Sequence, residues 1–455
     1  MKSVSTRSRV VRTASLLVLA LSLAVSARAQ EVDDLRLAAS QDNGDDTMVD
    51  APPPPPAELA TISSADDPVP TKRKRTAALR PYDPTGLRLG AFTLLPTLEV
   101  NAVADSNVAR ASSGAKQDVG IGLKPGFALQ SNWQRHELTA KASAEMLHYL
   151  DNSDLSSKAA NALVHLRLDA RRDLTADLET SYALTSEGAS DSEVPDTAIG
   201  NRTTQTFGGS LAVTHDGGIV AVSGRAGATH SIYSNVALSG GGTEDNSDRN
   251  YTEYELALRG SVSTGSALKP FAEVAYVPRI HDQKIDRNGL ARDSNGYRLK
   301  AGVTFDDDPV WSGEVAGIYL IRDYDDASLK TTQAPGLSAS LVWRPTEIDR
   351  VDLTSDVSLG ETATAGESAT RSWSSGLTVT HALRDNLDLS AGVTAEFSRS
   401  SGATDTSYGT RLAATWAFNP ELAATLAYEG TYYRPFASSG DYDDHRLLAS
   451  IILRR

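Results

Sequence analysis

The chain has 455 residues, 22% of them charged, a formal net charge of −14 and a mean hydropathy of −0.29. These values exclude a helical membrane protein, which needs stretches of about 20 apolar residues, and argue against nucleic acid as a partner, since phosphate binding needs a basic surface. With no cysteine, disulfides and Cys-based metal or thiol chemistry are excluded, so a secreted chain of this size must rely on a large core or a closed sheet.

Residues 1–29 read as a signal peptide. Lys2, Arg7, Arg9 and Arg12 form a basic n-region, Ala14 to Val25 an apolar core too short to span a bilayer, and Ala27-Arg28-Ala29 the small-x-small cleavage pattern. Residues 30–85 read as a disordered, Pro-rich periplasmic arm. Asp33, Asp34, Asp42, Asp45 and Asp46 crowd its start, Pro52 to Pro56 favour a stiff polyproline II spacer, and Lys72-Arg73-Lys74-Arg75 follow. So few large apolar residues cannot offset the entropy of ordering. The basic cluster reads as a solvated charge run, with docking to an anionic polymer or lipid headgroups as the alternative.

From 86 to 455 the chain turns to period-two alternation. Leu174, Ala176, Leu178, Thr180, Tyr182 and Leu184 fall on one face, interleaved with Thr175, Asp177, Glu179, Ser181 and Ala183. Leu387 to Phe397 and Leu422 to Tyr432 repeat the pattern. Such runs suit a tilted membrane-spanning strand of about 9 to 11 residues better than an ordinary strand of about 5 or 6. Short links at Arg171-Arg172-Asp173, Asp216-Gly217-Gly218, Asp306 to Pro309, Leu383-Arg384-Asp385 and Asn419-Pro420 alternate with polar segments near 105–117, 187–202, 234–250, 282–294, 323–333, 361–371, 399–407 and 434–443. The fold class expected is all-β: a closed antiparallel transmembrane β-barrel of about 18 strands, with tight periplasmic turns, long outward loops and both termini on the turn side. Closure also removes the long edges that an open sheet would expose. Phe305, Trp311, Trp343, Trp416 and Phe418 lie beside the short turns and Tyr233, Tyr251, Tyr319, Tyr432 and Tyr433 toward the long loops, as two interfacial belts would require.

The segment Pro81-Tyr82-Asp83-Pro84-Thr85-Gly86-Leu87-Arg88-Leu89-Gly90-Ala91-Phe92, with Pro96 to Val100 and Asp105-Ser106-Asn107-Val108, resembles the opening of the outer-membrane barrel family called β-barrel porin 2. The resemblance covers roughly residues 80 to 455, with its specific motif in the first hairpin. It implies an outer-membrane barrel of a Gram-negative bacterium, and several members are associated with exopolysaccharide secretion. The implied role is a porin-like conduit for exported polysaccharide; a structural or adhesive barrel without transport is the alternative. Partners would be outer-membrane lipids, the barrel assembly machinery, and polysaccharide with periplasmic export components. The ending Ile451-Ile452-Leu453-Arg454-Arg455 departs from the terminal aromatic residue that the machinery recognises, which implies a weakened insertion signal.

An 18-strand barrel is wide enough for an aqueous channel unless it is plugged. The alternation points Lys141, Glu145, Arg167, Asp177, Glu179, Arg225, Glu253, Glu255, Arg259, Glu273, Arg298, Lys300, Glu314, Asp352, Asp356, Asp388, Glu396, Arg411 and Glu429 into the lumen. Acids predominate, so a conducting pore is expected to prefer cations weakly; the alternative is that these charges pair with one another and hydrate the wall. The histidines His136, His148, His165, His215, His230, His281, His381 and His445 are scattered, and no HExxH, G-x-S-x-G, P-loop or dinucleotide fingerprint occurs. No enzyme, cofactor or metal is expected. The acidic groups Asp323, Asp325, Asp326 and Asp441, Asp443, Asp444 read as solvated loops rather than Ca²⁺ ligands, lacking the glycine and glutamate of an EF-hand.

Overall fold

A computed structural model describes residues 81–187, 198–305, 308–360, 362, 367–400, 403–434 and 440–455. The expected signal peptide and almost all of the expected arm, including Lys72 to Arg75, lie outside them.

Eighteen antiparallel strands form one wall. They are β1 Phe92–Asp105, β2 Asp118–Ser131, β3 Glu137–Tyr149, β4 Ser157–Arg171, β5 Leu174–Glu187 and β6 Arg202–Asp216. Next come β7 Val220–Tyr233, β8 Tyr251–Val262, β9 Leu268–Tyr276, β10 Ser294–Phe305, β11 Trp311–Tyr324 and β12 Thr332–Trp343. The last six are β13 Asp349–Gly360, β14 Thr370–Arg384, β15 Leu387–Ser400, β16 Ala403–Asn419, β17 Leu422–Arg434 and β18 Tyr442–Arg454. A short segment, Arg279–His281, prolongs β9 along β8. Each strand pairs with its chain neighbours, and β1 closes the sheet on β18 from Thr97↔Arg454 to Asp105↔Arg446. An even number of antiparallel strands closes with every ladder antiparallel, which puts both chain ends on one side.

Burial shows which face meets lipid. Along β18, Leu447, Ile451 and Leu453 are about half exposed, whereas their neighbours Leu448, Ser450, Ile452 and Arg454 are buried. Aliphatic side chains such as Ile121, Leu211, Leu256, Leu258, Leu412 and Leu426 stand outside, while Glu99, Lys141, Glu273, Lys300, Glu314, Asp352 and Asp388 are buried inside. A soluble sandwich would show the reverse.

Turn chemistry fixes the short connections. In the β6–β7 hairpin Gly218 takes φ +86, a left-handed conformation costly for a residue with a Cβ. Its N–H donates to the Asp216 carboxylate at 2.9 Å. At this end of the barrel Trp311 stacks on Trp343 (5.3 Å between centroids) and Trp416 on Phe418 (6.0 Å), a girdle of amphipathic rings. The loop-side belt needs correction. Tyr233 is buried with the Arg249 guanidinium 4.7 Å from its ring centroid, and Tyr251 carries Arg279 at 4.2 Å; both rings point inward. Tyr276 and Tyr297, 5.5 Å apart, face outward instead.

The segment expected as a long loop near 399–407 is another correction. β15 runs to Ser400 and β16 starts at Ala403, and the ladder continues out to Ser400↔Ala403. Likewise Asp323 belongs to β11, and Asp443 and Asp444 to β18, rather than to loops.

At the turn side the chain enters along the inner wall. Tyr82 packs against Ala417, Ala423 and Ile452, its carbonyl accepts an N–H from Arg454 at 3.1 Å, and Leu87–Leu89 folds back on Phe92 to Leu94.

Because Leu412 lies near the middle of β16 facing out, Leu412→Arg is expected to destabilise the folded barrel by about 2–4 kcal/mol. Urea denaturation in lipid vesicles measures it; a loss under about 0.5 kcal/mol would mean that this position does not meet hydrocarbon.

Candidate functional site on the inner wall

The nineteen side chains that alternation pointed inward are all buried or half-buried. Lys141, Asp177, Glu255, Glu273, Lys300, Glu314, Asp352 and Asp388 are buried; Glu145, Arg167, Glu179, Arg225, Glu253, Arg259, Arg298, Asp356, Glu396, Arg411 and Glu429 are half-buried. Seven of them form one network across β7 to β11. Arg225 reaches Glu255 at 2.6 Å and Glu273 at 3.3 Å; Arg298 reaches Glu255 at 2.9 Å and Glu273 at 3.6 Å. Arg259 reaches Glu314 at 2.6 Å and lies over the Phe271 ring, 3.5 Å from its centroid, and Lys300 meets Glu314 at 2.9 Å. Four cations thus share three carboxylates. The geometry follows from register: Arg259 faces Glu273 and Glu273 faces Lys300 directly across the ladders, and long side chains reach the next strand along.

Other members stand apart. Arg411 pairs with Glu429, Asp177 with His165 at 3.0 Å, Asp352 with Arg350 at 2.8 Å, and Arg167 with Asp169 at 3.1 Å. Lys141 and Glu145 lie on β3, Glu179 on β5, Asp356 on β13, and Asp388 and Glu396 on β15.

Sequence reasoning missed several inward groups. Arg279 and Arg322 both clamp Glu253, at 2.8 and 2.7 Å. Arg202, almost fully buried, pairs with Glu187, and the Tyr149 hydroxyl donates to Asp105 at 2.6 Å, with Arg446 3.6 Å from the same oxygen. Phase was the available signal: Arg322 lies eight residues from Glu314, and Arg202 two from Thr204.

Above the network is a cleft with about 980 Å³ of non-protein space, open to solvent. One wall is β5 to β8, lined by Ser181, Thr204, Thr206, Ser210, Thr229 and Ser231 with Arg225, Glu253 and Glu255; the facing wall is Leu359 and Gly360 of β13.

Four loops at this end of the barrel are knit together. Arg287 binds the Asp248 carboxylate through two nitrogens (2.8 and 2.7 Å) and Glu244 at 2.6 Å, joining the β9–β10 loop to the β7–β8 loop. Arg292 pairs with Asp286 at 2.6 Å and donates to the Glu367 carbonyl at 3.1 Å. Asp326 accepts the Ala291 N–H at 3.1 Å, and Lys330 N–H donates to Ser368 at 2.8 Å. Leu290, Tyr324, Leu329 and Ala369 pack beneath. The acidic loop group thus caps turns: Asp326 also accepts the Ser328 hydroxyl and N–H.

These contacts set the loop carboxyls. Burial alone would raise Asp248 and Asp286, but Arg287 and Arg292 override it and hold both below the ordinary value. Asp326 is lowered by its hydrogen bonds from Ser328 and Ala291. A carboxyl lowered in the closed cap stabilises it fully above the ordinary value of about 3.9, and that stabilisation disappears as pH falls through the lowered values. Hydrogen-exchange protection of the Leu290 and Ala291 amides is therefore expected to hold from neutral pH to about 4 and to fall below that. Loss already between neutral pH and about 5 would contradict it.

Glu314→Gln removes the carboxylate that Arg259 meets at 2.6 Å and the buried Lys300 at 2.9 Å, leaving Arg259 the more distant Glu273 at 3.8 Å. The expected loss is about 3–5 kcal/mol in the same denaturation measurement. A loss under about 1 kcal/mol would show that lumenal water screens the pair.

Residues 80–455 match the family model described as "Putative beta-barrel porin 2". No curated protein matches the chain. Among solved structures, the chain is similar to the FrpB iron transporter from Neisseria meningitidis (F5-1 variant) at 11% identity and TM-score 0.40, with 76% of this chain and 65% of that chain covered. It is similar also to the siderophore receptor PirA from Pseudomonas aeruginosa at 10% identity and TM-score 0.35, covering 83% and 81%. The chain spans less than two-thirds of the length of the FrpB chains. With the family model matched over the whole barrel, the chain belongs to the β-barrel porin 2 family and is a porin-like outer-membrane barrel.

Proposed function

We propose that the barrel is a conduit for an exported, polyhydroxylated polymer of the exopolysaccharide class, acting without catalysis. The observation that carries this reading is the cleft wall of β5 to β8. Ser181, Thr206, Ser210, Thr229 and Ser231 offer hydroxyls that both donate and accept, beside charges that pair with one another. Such a surface exchanges hydrogen bonds with sugar hydroxyls and water at similar cost. The resemblance of residues 81 to 108 to members associated with exopolysaccharide secretion supports the same class.

A second reading, a closed structural or adhesive barrel, is favoured by the four loops knit together at the outer end of β7 to β14. Two measurements separate the readings. Deleting the gene is expected to lower surface polysaccharide; unchanged surface polysaccharide would overturn the conduit. In planar bilayers the purified barrel is expected to conduct with a weak preference for cations, whereas negligible conductance supports the adhesive reading. A reversal potential favouring anions would contradict the lumenal charge assignment.

A further inference from the structure

The ladder between β12 and β13 is unfinished. The two strands pair from Ala339↔Ser355 to Trp343↔Val351, at the turn side only. Beyond that point Thr332 to Ser338 still pair with β11, and Asp356 to Gly360 with β14. Among the described residues no ladder joins these two facing edges. An unsatisfied edge in a membrane wall is costly, and a side chain meets part of this one. The Trp373 indole of β14 reaches past β13 and donates to the Pro335 carbonyl at 2.9 Å. Proline suits that edge, since it has no N–H to leave unpaired.

The outer half of β13 has gone inward. Val357 and Leu359, both buried, pack against Ile318 and the fully buried Ala334, with Leu320 and Trp373 alongside. Ile318 and Ala334 are in phase with the inward residues Glu314 and Thr332. The Leu359 carbonyl accepts from Arg279 at 3.3 Å, although β9 and β13 are four strand spacings apart, roughly 19 Å along the wall. That contact requires β13 to stand inside the cylinder. Its seat on the wall is Gly336: a Cβ there would collide with Val357 Cγ2 and lie 3.3 Å from Val357 Cβ.

We infer that Asp356–Gly360 of β13 and Thr370–Ser374 of β14 form a gate built from the wall itself. Seated inward, they narrow the lumen opposite β5 to β8. Swung outward, Asp356–Gly360 of β13 zips onto Ala334–Ser338, extends the ladder and widens the passage. Backbone hydrogen bonds gained at the seam offset the loss of the Val357 and Leu359 contacts. This inference rests on the reading of the barrel as a conduit.

The chain has no cysteine, so the pair Gly336→Cys/Val357→Cys isolates the seat, with Cβ atoms close to the 3.5–4.5 Å that a disulfide needs. In planar bilayers, with the cross-link confirmed by mass spectrometry, oxidation is expected to abolish the larger conductance level and reductant to restore it. Gly336→Val, which blocks the seat, and Trp373→Phe, which removes the bond to Pro335, are each expected to raise the open fraction; heat-modifiable gel migration checks that both fold. Conductance indifferent to a confirmed cross-link, in a barrel that otherwise conducts, overturns the gate and leaves the conduit standing. Absence of conductance in every form, Gly336→Val included, overturns both.

Discussion

In hydrocarbon a backbone N–H or carbonyl without a partner has no water to turn to, and this requirement organises the molecule. It forces the strands to close on themselves, so that β1 completes β18 and the cylinder has no free edge along that join. Closure in turn decides where the sequence can put its charges. Every second residue of each strand faces inward, and the inward positions hold the carboxylates and guanidinium groups that would be intolerable outside. Against this background the unpaired stretch between β12 and β13 is informative, because at Pro335 an indole bond and a missing N–H stand where the ladder would run.

Inside, the next constraint is charge balance. A buried carboxylate away from water must be matched, and the β7 to β11 network does this with shared groups, such as Glu273 between Arg225 and Arg298. The sharing makes the network one unit across five strands rather than a set of separate pairs. It also leaves the hydroxyl-rich part of β5 to β7 as the chemically available surface, which is why the functional reading rests there.

Much of this was legible in the sequence. Strand number, the alternation of short and long connections and the inward phase of Glu255, Glu273 and Lys300 all follow from local period-two patterns. Three features were hidden. The strands of the β15–β16 hairpin extend past their apolar stretch into Thr404, Asp405 and Thr406, where backbone pairing decides and side-chain pattern is silent. Tyr233 and Tyr251 looked like interfacial rings, yet they share phase with Arg225 and Glu253, and phase overrode the general preference of tyrosine for the membrane surface. The inward fold of β13 depends on contacts among residues scattered over β9, β11, β12 and β14. Only Gly336 and Pro335, two poor strand formers side by side, marked the place.

Tyr82 rests among Ala417, Ala423 and Ile452 on the inside of the turn-side rim. Whatever is attached upstream of residue 81 is therefore leashed to the opening rather than to the outer circumference. Tyr82 itself thereby takes up part of the turn-side opening, a constriction that strand number alone does not set.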